Sequence, residues 1–412
     1  MARAHTCQAM IIGAGSTGIG AAIKLAQAGI KADGDIVILE RSERIGGTAP
    51  ADKVCQHADE LADRFDMRRH IRFGSDVTGL SFDENTGVWT ASTATTSGCT
   101  SSFCAHTLVV TSGRAPDLGF PDICGLDSYT GHKIHGVRWD HDYDFTGKRV
   151  GVVDAGAGAV QIVPELVNRA KFVKLFQRTP SWVLPRPDVA IPPALQKLFA
   201  EVPAIQHLLF TTLFRVHQAN SSTPVRNTLL TVLATQLAKA HLRVKVKDPW
   251  LRRQLTPSPV QDRKRMLISS DYYPALQRDN CKLIDWPIAT LSPAGVRTSD
   301  GIEHRLDCIV FATGYDVHLT GPPFPVTGLG GRSLAADWAD GAQAYKSINA
   351  HGYPNLFFMT GPNSGPGHNS LLVYIEGQLD YAVRGITTIL DNDLRYLDVR
   401  EDVQRRHNES IQ

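Results

Sequence analysis

The chain has 412 residues, enough for two domains with cores of their own. Hydrophobic residues make up 42% and charged residues 20%, a globular profile that excludes a disordered chain. The formal net charge of +2 gives no ground for a nucleic-acid partner, and no apolar run approaches membrane-spanning length.

The first predicted element is a buried parallel strand at Met10-Ile11-Ile12. Gly13, Gly15 and Gly18 follow at G-x-G-x-x-G spacing. Gly13 permits the tight turn, Gly15 lets a pyrophosphate reach the backbone, and Gly18 lets the next helix pack close. Ser16 and Thr17 lie where the helix begins, and a run from Ile19 to Ala28 continues it until Gly29. A helix start there points free N–H groups and a positive dipole end at phosphates. A second strand, Ile36 to Leu39, delivers Glu40 and then Arg41 to the sheet edge. A carboxylate at that edge accepts hydrogen bonds from ribose hydroxyls and repels a 2′-phosphate. The whole unit therefore predicts an adenine dinucleotide site, with Gly46-Gly47-Thr48 forming a second glycine turn just after the acid.

From Asp52 to Arg69 the pattern is helical, with Leu61, Phe65 and Met67 on the buried face. Residues 71–82 and 88–92 read as strands of a hairpin around Asp83-Glu84-Asn85-Thr86-Gly87, and the polar stretch Ser92 to Ser102 as its outer loop. A strand at Thr107 to Thr111 ends in Ser112-Gly113, and Cys308 to Ala312 ends likewise in Thr313-Gly314. Between them a second fingerprint runs from Arg149 to Ala159, followed by a helix through Val167 and a strand at Phe172 to Phe176. The pattern predicts an α/β chain of two nested Rossmann-like dinucleotide-binding domains. The first comprises 1–144 and 310–412, and the second 145–309. Residues 185–259 form a helical insert in the second, with Leu195, Leu198, Phe199, Leu208, Leu209, Leu213 and Phe214 marking amphipathic faces. The insert reads as a lid on the second domain or, alternatively, as a membrane-surface element.

The seven cysteines are scattered, without any C-x-x-C pair. That speaks against a zinc site or a disulfide framework and fits a reducing cytoplasm. The N-terminal apolar run breaks at Gly13 and lacks the layout of a signal peptide.

Taken together, the two units resemble the flavin-containing and Baeyer–Villiger monooxygenases. The most specific piece is Tyr129-x-Gly131-x-x-x-His135-x-x-x-Trp139-Asp140, which is similar to the linker signature of that superfamily. Further matching pieces are Asp144 to Arg149, Phe176-Gln177-Arg178-Thr179-Pro180, Asp271 to Leu276, Phe311 to Asp316 and Gly361-Pro362-Asn363-Ser364-Gly365. The resemblance implies FAD and NADPH as cofactors, with O2 and a small ketone or heteroatom compound as substrates. FAD would be held by the first fingerprint with Glu40, Arg41, Gly47, Thr48, Thr313, Gly314 and Asn363. NADPH would be held by Gly156, Ala157, Arg178, Thr179 and Lys264. Arg178 is placed as the counterpart of Glu40, a cation for the 2′-phosphate. Arg265 would stabilise negative charge on oxygen beside the flavin, and His135 is the second catalytic candidate.

The chain departs from the family's pattern at three places. The aromatic loop expected after Thr48 is replaced by Ala49-Pro50-Ala51-Asp52. Asp154 stands where the second fingerprint normally has its first glycine, setting a carboxylate beside the pyrophosphate. The chain stops soon after the Asn363 region, where relatives continue. Two other readings stay open: a flavoprotein scaffold catalysing a redox-neutral cyclisation or isomerisation, and a non-enzymatic remnant.

Overall fold

A computed structural model describes residues 6–30, 32–46, 52–95, 98–111, 120–136, 139–140, 142–154, 156–186, 192–221, 229–257, 266–312, 321–364 and 371–411, with backbone alone at 32–33, 52–55, 213–221 and 229–231. The chain divides into two compact units. Met1–Leu118, Tyr315–Pro366 and Ser370–Gln412 form one; Gly119–Gly314 and Gly367–Asn369 form the other.

The first unit opens with β1 (Thr6–Ile12), α1 (Ser16–Gln27), a short α2 (Ala32–Asp35) and β2 (Ile36–Leu39). Next come α3 (Asp52–Arg64), β3 (Ile71–Arg72), β4 (Asp76–Asp83), β5 (Val88–Ala94) and β6 (Thr100–Val110). β1 lies between β2 and β6, parallel to both, and every residue from Ala9 to Ile12 is buried. That two-sided burial is why the strand reads as a continuous apolar run rather than an alternating one. The α1 face of Ile19, Ala22 and Leu25 packs in the same core, and Gly29 ends the helix at φ +98, a conformation glycine reaches without strain. The hairpin forms where expected, but the polar stretch is not a loop throughout. β5 runs to Ala94 and β6 starts at Thr100, so Thr93 pairs with Ser101 and Ser92 with Ser102. Ser92, Ser101 and Ser102 are exposed and Thr93 is buried, and cross-strand pairing decides the matter where composition does not.

The second unit contains β7 (His132–His135), β8 (Arg149–Val153), α4 (Ala157–Arg169), β9 (Phe172–Phe176) and β10 (Val183–Leu184). The insert follows as α5 (Pro193–Glu201), α6 (Pro203–Ser221), α7 (Leu229–Lys245) and α8 (Pro249–Gln254). The unit closes with β11 (Leu267–Ile268), α9 (Tyr272–Leu276), β12 (Cys281–Ile284), β13 (Ile288–Ser292), β14 (Gly295–Thr298), β15 (Glu303–Arg305) and β16 (Cys308–Phe311). Its main sheet is parallel, in the order β12-β9-β8-β16-β7. Residues 119–144, which the sequence reading joins to the first domain, belong here, because β7 pairs with β16 along its whole length.

The insert is helical among its described residues, but its burial is uneven. Ala238 and Leu242 of α7 are buried in the unit's core, and His241 Nδ1 lies 3.0 Å from the Val183 carbonyl oxygen. Leu195, Leu198, Leu208 and Leu209, which mark the amphipathic faces read from the sequence, are exposed. The side chains of Leu213 and Phe214 lie outside the described residues.

The first unit is completed by β17 (Val326–Thr327), α10 (Leu334–Asp337), β18 (Leu356–Phe358), α11 (Leu371–Asp391) and α12 (Glu401–Ile411). β18 adds a parallel strand beside β6, and α11 packs against α1 through Ile375, Leu379, Ala382 and Ile386. Among the described residues no helix is long and apolar enough to cross a membrane, and no cluster of side chains could hold a metal ion.

Candidate cofactor-binding sites

In the first unit, β1 ends at Ile12 and the chain turns at Gly13 with φ +102. A side chain there would meet the Thr111 hydroxyl at 2.9 Å as well as strain the backbone. Gly13 N–H donates to the Leu39 carbonyl at 2.8 Å, and Thr111 Oγ1 donates to the Ile12 and Gly13 carbonyls at 2.7 and 3.0 Å. Thr111, which lies outside the glycine motif, thus pins the turn from the end of the neighbouring strand β6. A Cβ at Gly18 would fall 1.9 Å from the Gly13 carbonyl oxygen, so glycine is obligatory there. A Cβ at Gly15 would meet nothing within 4 Å. That open space lies over the start of α1, where no side chain caps the first N–H groups. Ser16 and Thr17 are half-buried on that first turn. The arrangement leaves donors and a positive dipole end for an anion.

Glu40 stands immediately past β2 and is only 5% exposed. Its Oε2 accepts from Ala14 N–H at 2.7 Å, and its Oε1 accepts from the Ser42 N–H at 2.9 Å and the Ser42 hydroxyl at 2.6 Å. These bonds fix the carboxylate beside the glycine turn, and Oε2 retains accepting capacity. Arg41 is exposed. Asn363 is exposed on a left-handed turn at φ +62. Gly47, Thr48, Thr313 and Gly314 lie outside the described residues, as do Lys264 and Arg265.

The second unit repeats two backbone bonds of the turn, without the Thr111 hydroxyl bonds, since Ala312 stands in that place. Asp154 N–H donates to the Phe176 carbonyl at 3.2 Å, as Gly13 does to Leu39. Ala312 N–H donates to Val153 at 3.0 Å, as Thr111 does to Ile12 at 2.9 Å. Gly156 precedes α4 as Gly15 precedes α1, and Ala159, fully buried, replaces Gly18. Asp154 keeps the backbone of the glycine it replaces, at φ +128. A Cβ at Gly156 would lie 2.7 Å from Asp154 Oδ2, so the carboxylate occupies space that is open over Gly15 in the first unit. Ala157 is exposed on the first turn of α4. The shape of a dinucleotide cradle is kept here, but its charge does not suit a pyrophosphate.

The position matching Glu40 is not Arg178 but the residue before it. Glu40 N–H donates to Arg72 O at 3.0 Å at the end of β3, and Gln177 N–H donates to Ile284 O at 2.9 Å at the end of β12. Gln177 is buried and its Nε2 donates to the Gln254 carbonyl at 3.1 Å. Counting from the last residue of each strand would have found it. Arg178 is exposed one place further on, matching Arg41, and Thr179 is half-buried.

The linker motif is built for packing. The Tyr129 phenol donates to the Leu306 carbonyl at 3.2 Å, and its ring lies across Gly131. Trp139 stacks on Phe145 with centroids 5.5 Å apart. His132, stacked on Tyr143 at 4.2 Å, lies 2.9 Å from Asp140 Oδ2. His135 is buried at the carboxyl end of β7, its ring meeting Phe120 edge-on at 6.2 Å. Nearby phenols are shifted by desolvation: burial raises Tyr129 and Tyr143, the latter to about 12. Tyr272, also buried, is raised by burial, with lesser contributions from Tyr273, Cys281 and Asp154.

Two nucleotide cradles in one chain match known proteins closely. The flavin-binding monooxygenase-like family profile matches residues 48–195, and the NAD(P)-binding Rossmann-like domain profile matches residues 11–83. A Baeyer–Villiger monooxygenase of Pseudomonas aeruginosa is 32% identical over 100% of this chain and 83% of its own length. The chain belongs to the Baeyer–Villiger monooxygenase family. A second member, from Streptomyces coelicolor, is 34% identical over 90% of this chain and 76% of its own. Among solved structures, OTEMO in complex with FAD and NADP superposes with a TM-score of 0.82 at 26% identity, covering 99% of this chain and 89% of that one. An oxidised steroid monooxygenase bound to NADP gives 0.80 at 25% identity, covering 98% and 90%. The chain is accordingly a flavin-dependent monooxygenase of this family, with the nested α/β architecture expected from its sequence.

Proposed function

We propose that the chain uses NADPH and O2 to place one oxygen atom on a small organic ketone, giving an ester or lactone, or on a nitrogen or sulfur atom. The first cradle carries this reading. A left-handed Gly13, open space over Gly15 and a buried Glu40 suit the pyrophosphate and ribose of FAD. When bound, FAD supplies the oxygen activation and NADPH the electrons. The chain's own residues hold and orient. The first N–H groups of α1, at Ser16 and Thr17, would receive the phosphates, while Glu40 would accept from ribose hydroxyls. Arg41, Gly47, Thr48, Thr313, Gly314 and Asn363 are assigned to the same cofactor. Gly156, Ala157, Arg178, Thr179 and Lys264 are assigned to NADPH. Arg265, a guanidinium that stays charged, is assigned to negative charge on oxygen, with His135 as the second catalytic group. Of the readings the sequence leaves open, family membership favours this one.

The test is spectroscopic. Purified protein should show bound-flavin absorbance that NADPH bleaches without air. With air, a ketone substrate should yield an ester carrying one atom from labelled O2. FAD-loaded protein that NADPH leaves oxidised would overturn the reading.

A further inference from the structure

We propose that Asp154 sets the affinity of the second cradle for its dinucleotide, holding it below what glycine at the same position would give. The proposal rests on the reading that this cradle takes NADPH. Three observations lead to it. Asp154 holds a φ of +128, a conformation that side-chain-bearing residues rarely adopt, yet its N–H keeps the bond to the Phe176 carbonyl that Gly13 makes to Leu39. Its Oδ2 lies where a side chain at Gly156 would start, which is where a doubly wound fold brings a pyrophosphate to the backbone. Among the described residues, no hydrogen bond or ion pair involving the Asp154 carboxylate is found, although Arg149, one strand-length away, is paired with Asp307.

This carboxylate, without a hydrogen-bond or ion-pair partner among the described residues, faces the start of α4, whose N-cap residue Gly156 offers no side-chain cap. It is a resident anion for the positive end of the helix. An incoming pyrophosphate must displace it or lie beside it, and both oppose binding. The first unit shows the contrast, since Gly13 leaves the same space open. The repulsion acts equally on bound NADPH before and during hydride transfer. It therefore raises KM and leaves kcat alone.

The test uses the full chain loaded with FAD, as wild type, Asp154→Asn and Asp154→Gly. NADP+ is titrated calorimetrically, and adenosine 2′-monophosphate, which has no pyrophosphate, serves as the second probe. Both variants should bind NADP+ about tenfold tighter or more, the size expected for removing one charge from beside another near a surface. The affinity for adenosine 2′-monophosphate should not move, and KM for NADPH should fall with kcat unchanged. Asp154→Asn keeps the side-chain shape, so the test survives if Asp154→Gly folds poorly. Unchanged NADP+ affinity in a wild type that binds NADP+ would overturn the role of Asp154 and leave the NADPH reading standing. Equal tightening for both probes would overturn it too, since the effect would not act on the pyrophosphate. No NADP+ binding by any of the three proteins, with FAD retained, would overturn both.

Discussion

Glu40 and Gln177 occupy the same place in the two units. Each follows the last residue of the strand beside the glycine turn, and each donates its backbone N–H to the end of the next parallel strand. One is a carboxylate fixed by Ala14 and Ser42, the other a neutral amide tied to Gln254. A carboxylate repels a 2′-phosphate and an amide does not, so on the proposed reading the first position suits FAD, which lacks that phosphate, and the second tolerates NADPH, which carries it.

Gln177→Glu should therefore turn the second unit against NADPH. The expected result is a KM for NADPH raised about tenfold, with a smaller change for NADH. Steady-state kinetics with both cofactors check it. Equal effects on the two would show that Gln177 does not face the 2′-phosphate.

Arg178 is exposed beside that position. Arg178→Ala should weaken NADPH by about 1.5–3 kcal/mol, the range for a charge-assisted hydrogen bond, and leave NADH nearly unchanged. The ratio of the two kcat/KM values is the measurement. Equal losses would remove Arg178 from the phosphate site.

Gly131→Ala should destabilise the second unit. The new Cβ would lie 2.2 Å from Tyr129 Oη and 2.4 Å from Cζ, and the phenol is held by the Leu306 carbonyl. Overpacking of this kind costs about 1–3 kcal/mol. Thermal unfolding should show an earlier transition, partly restored when Tyr129→Leu is added. A double variant no better than the single one would show that the contact is not with Tyr129.

The Arg149–Asp307 pair should give stability a dependence on acid. The Arg149 guanidinium and backbone N–H hold the Asp307 carboxyl at about 2, below its ordinary 3.8. Because the folded value is the lower one, the contribution is full above about pH 4 and is lost as pH falls towards 2. The side chains are 44% and 33% exposed, so solvent screening trims the pair to about 1 kcal/mol. Asp307→Asn should cost that much at pH 7, and the cost should shrink as pH falls through about 2. A difference that does not shrink across that range would assign the loss to packing.

The amino-acid sequence by itself determined what local order encodes. The apolar runs at Met10 to Ile12 and Val150 to Val153, the glycine spacing and the turn at Asp83 to Gly87 all formed where their residues require, because strand burial and turn geometry are set within a few positions. Only the tertiary structure decided what depends on neighbours distant in the chain. It matched Gln177, not Arg178, to Glu40 through the ends of β3 and β12. It drew a serine- and threonine-rich stretch into strands and left Leu208 and Leu209 exposed. It also let Asp154 hold a glycine's backbone, because bonds to Phe176 and Val153 fix the turn whichever residue stands there.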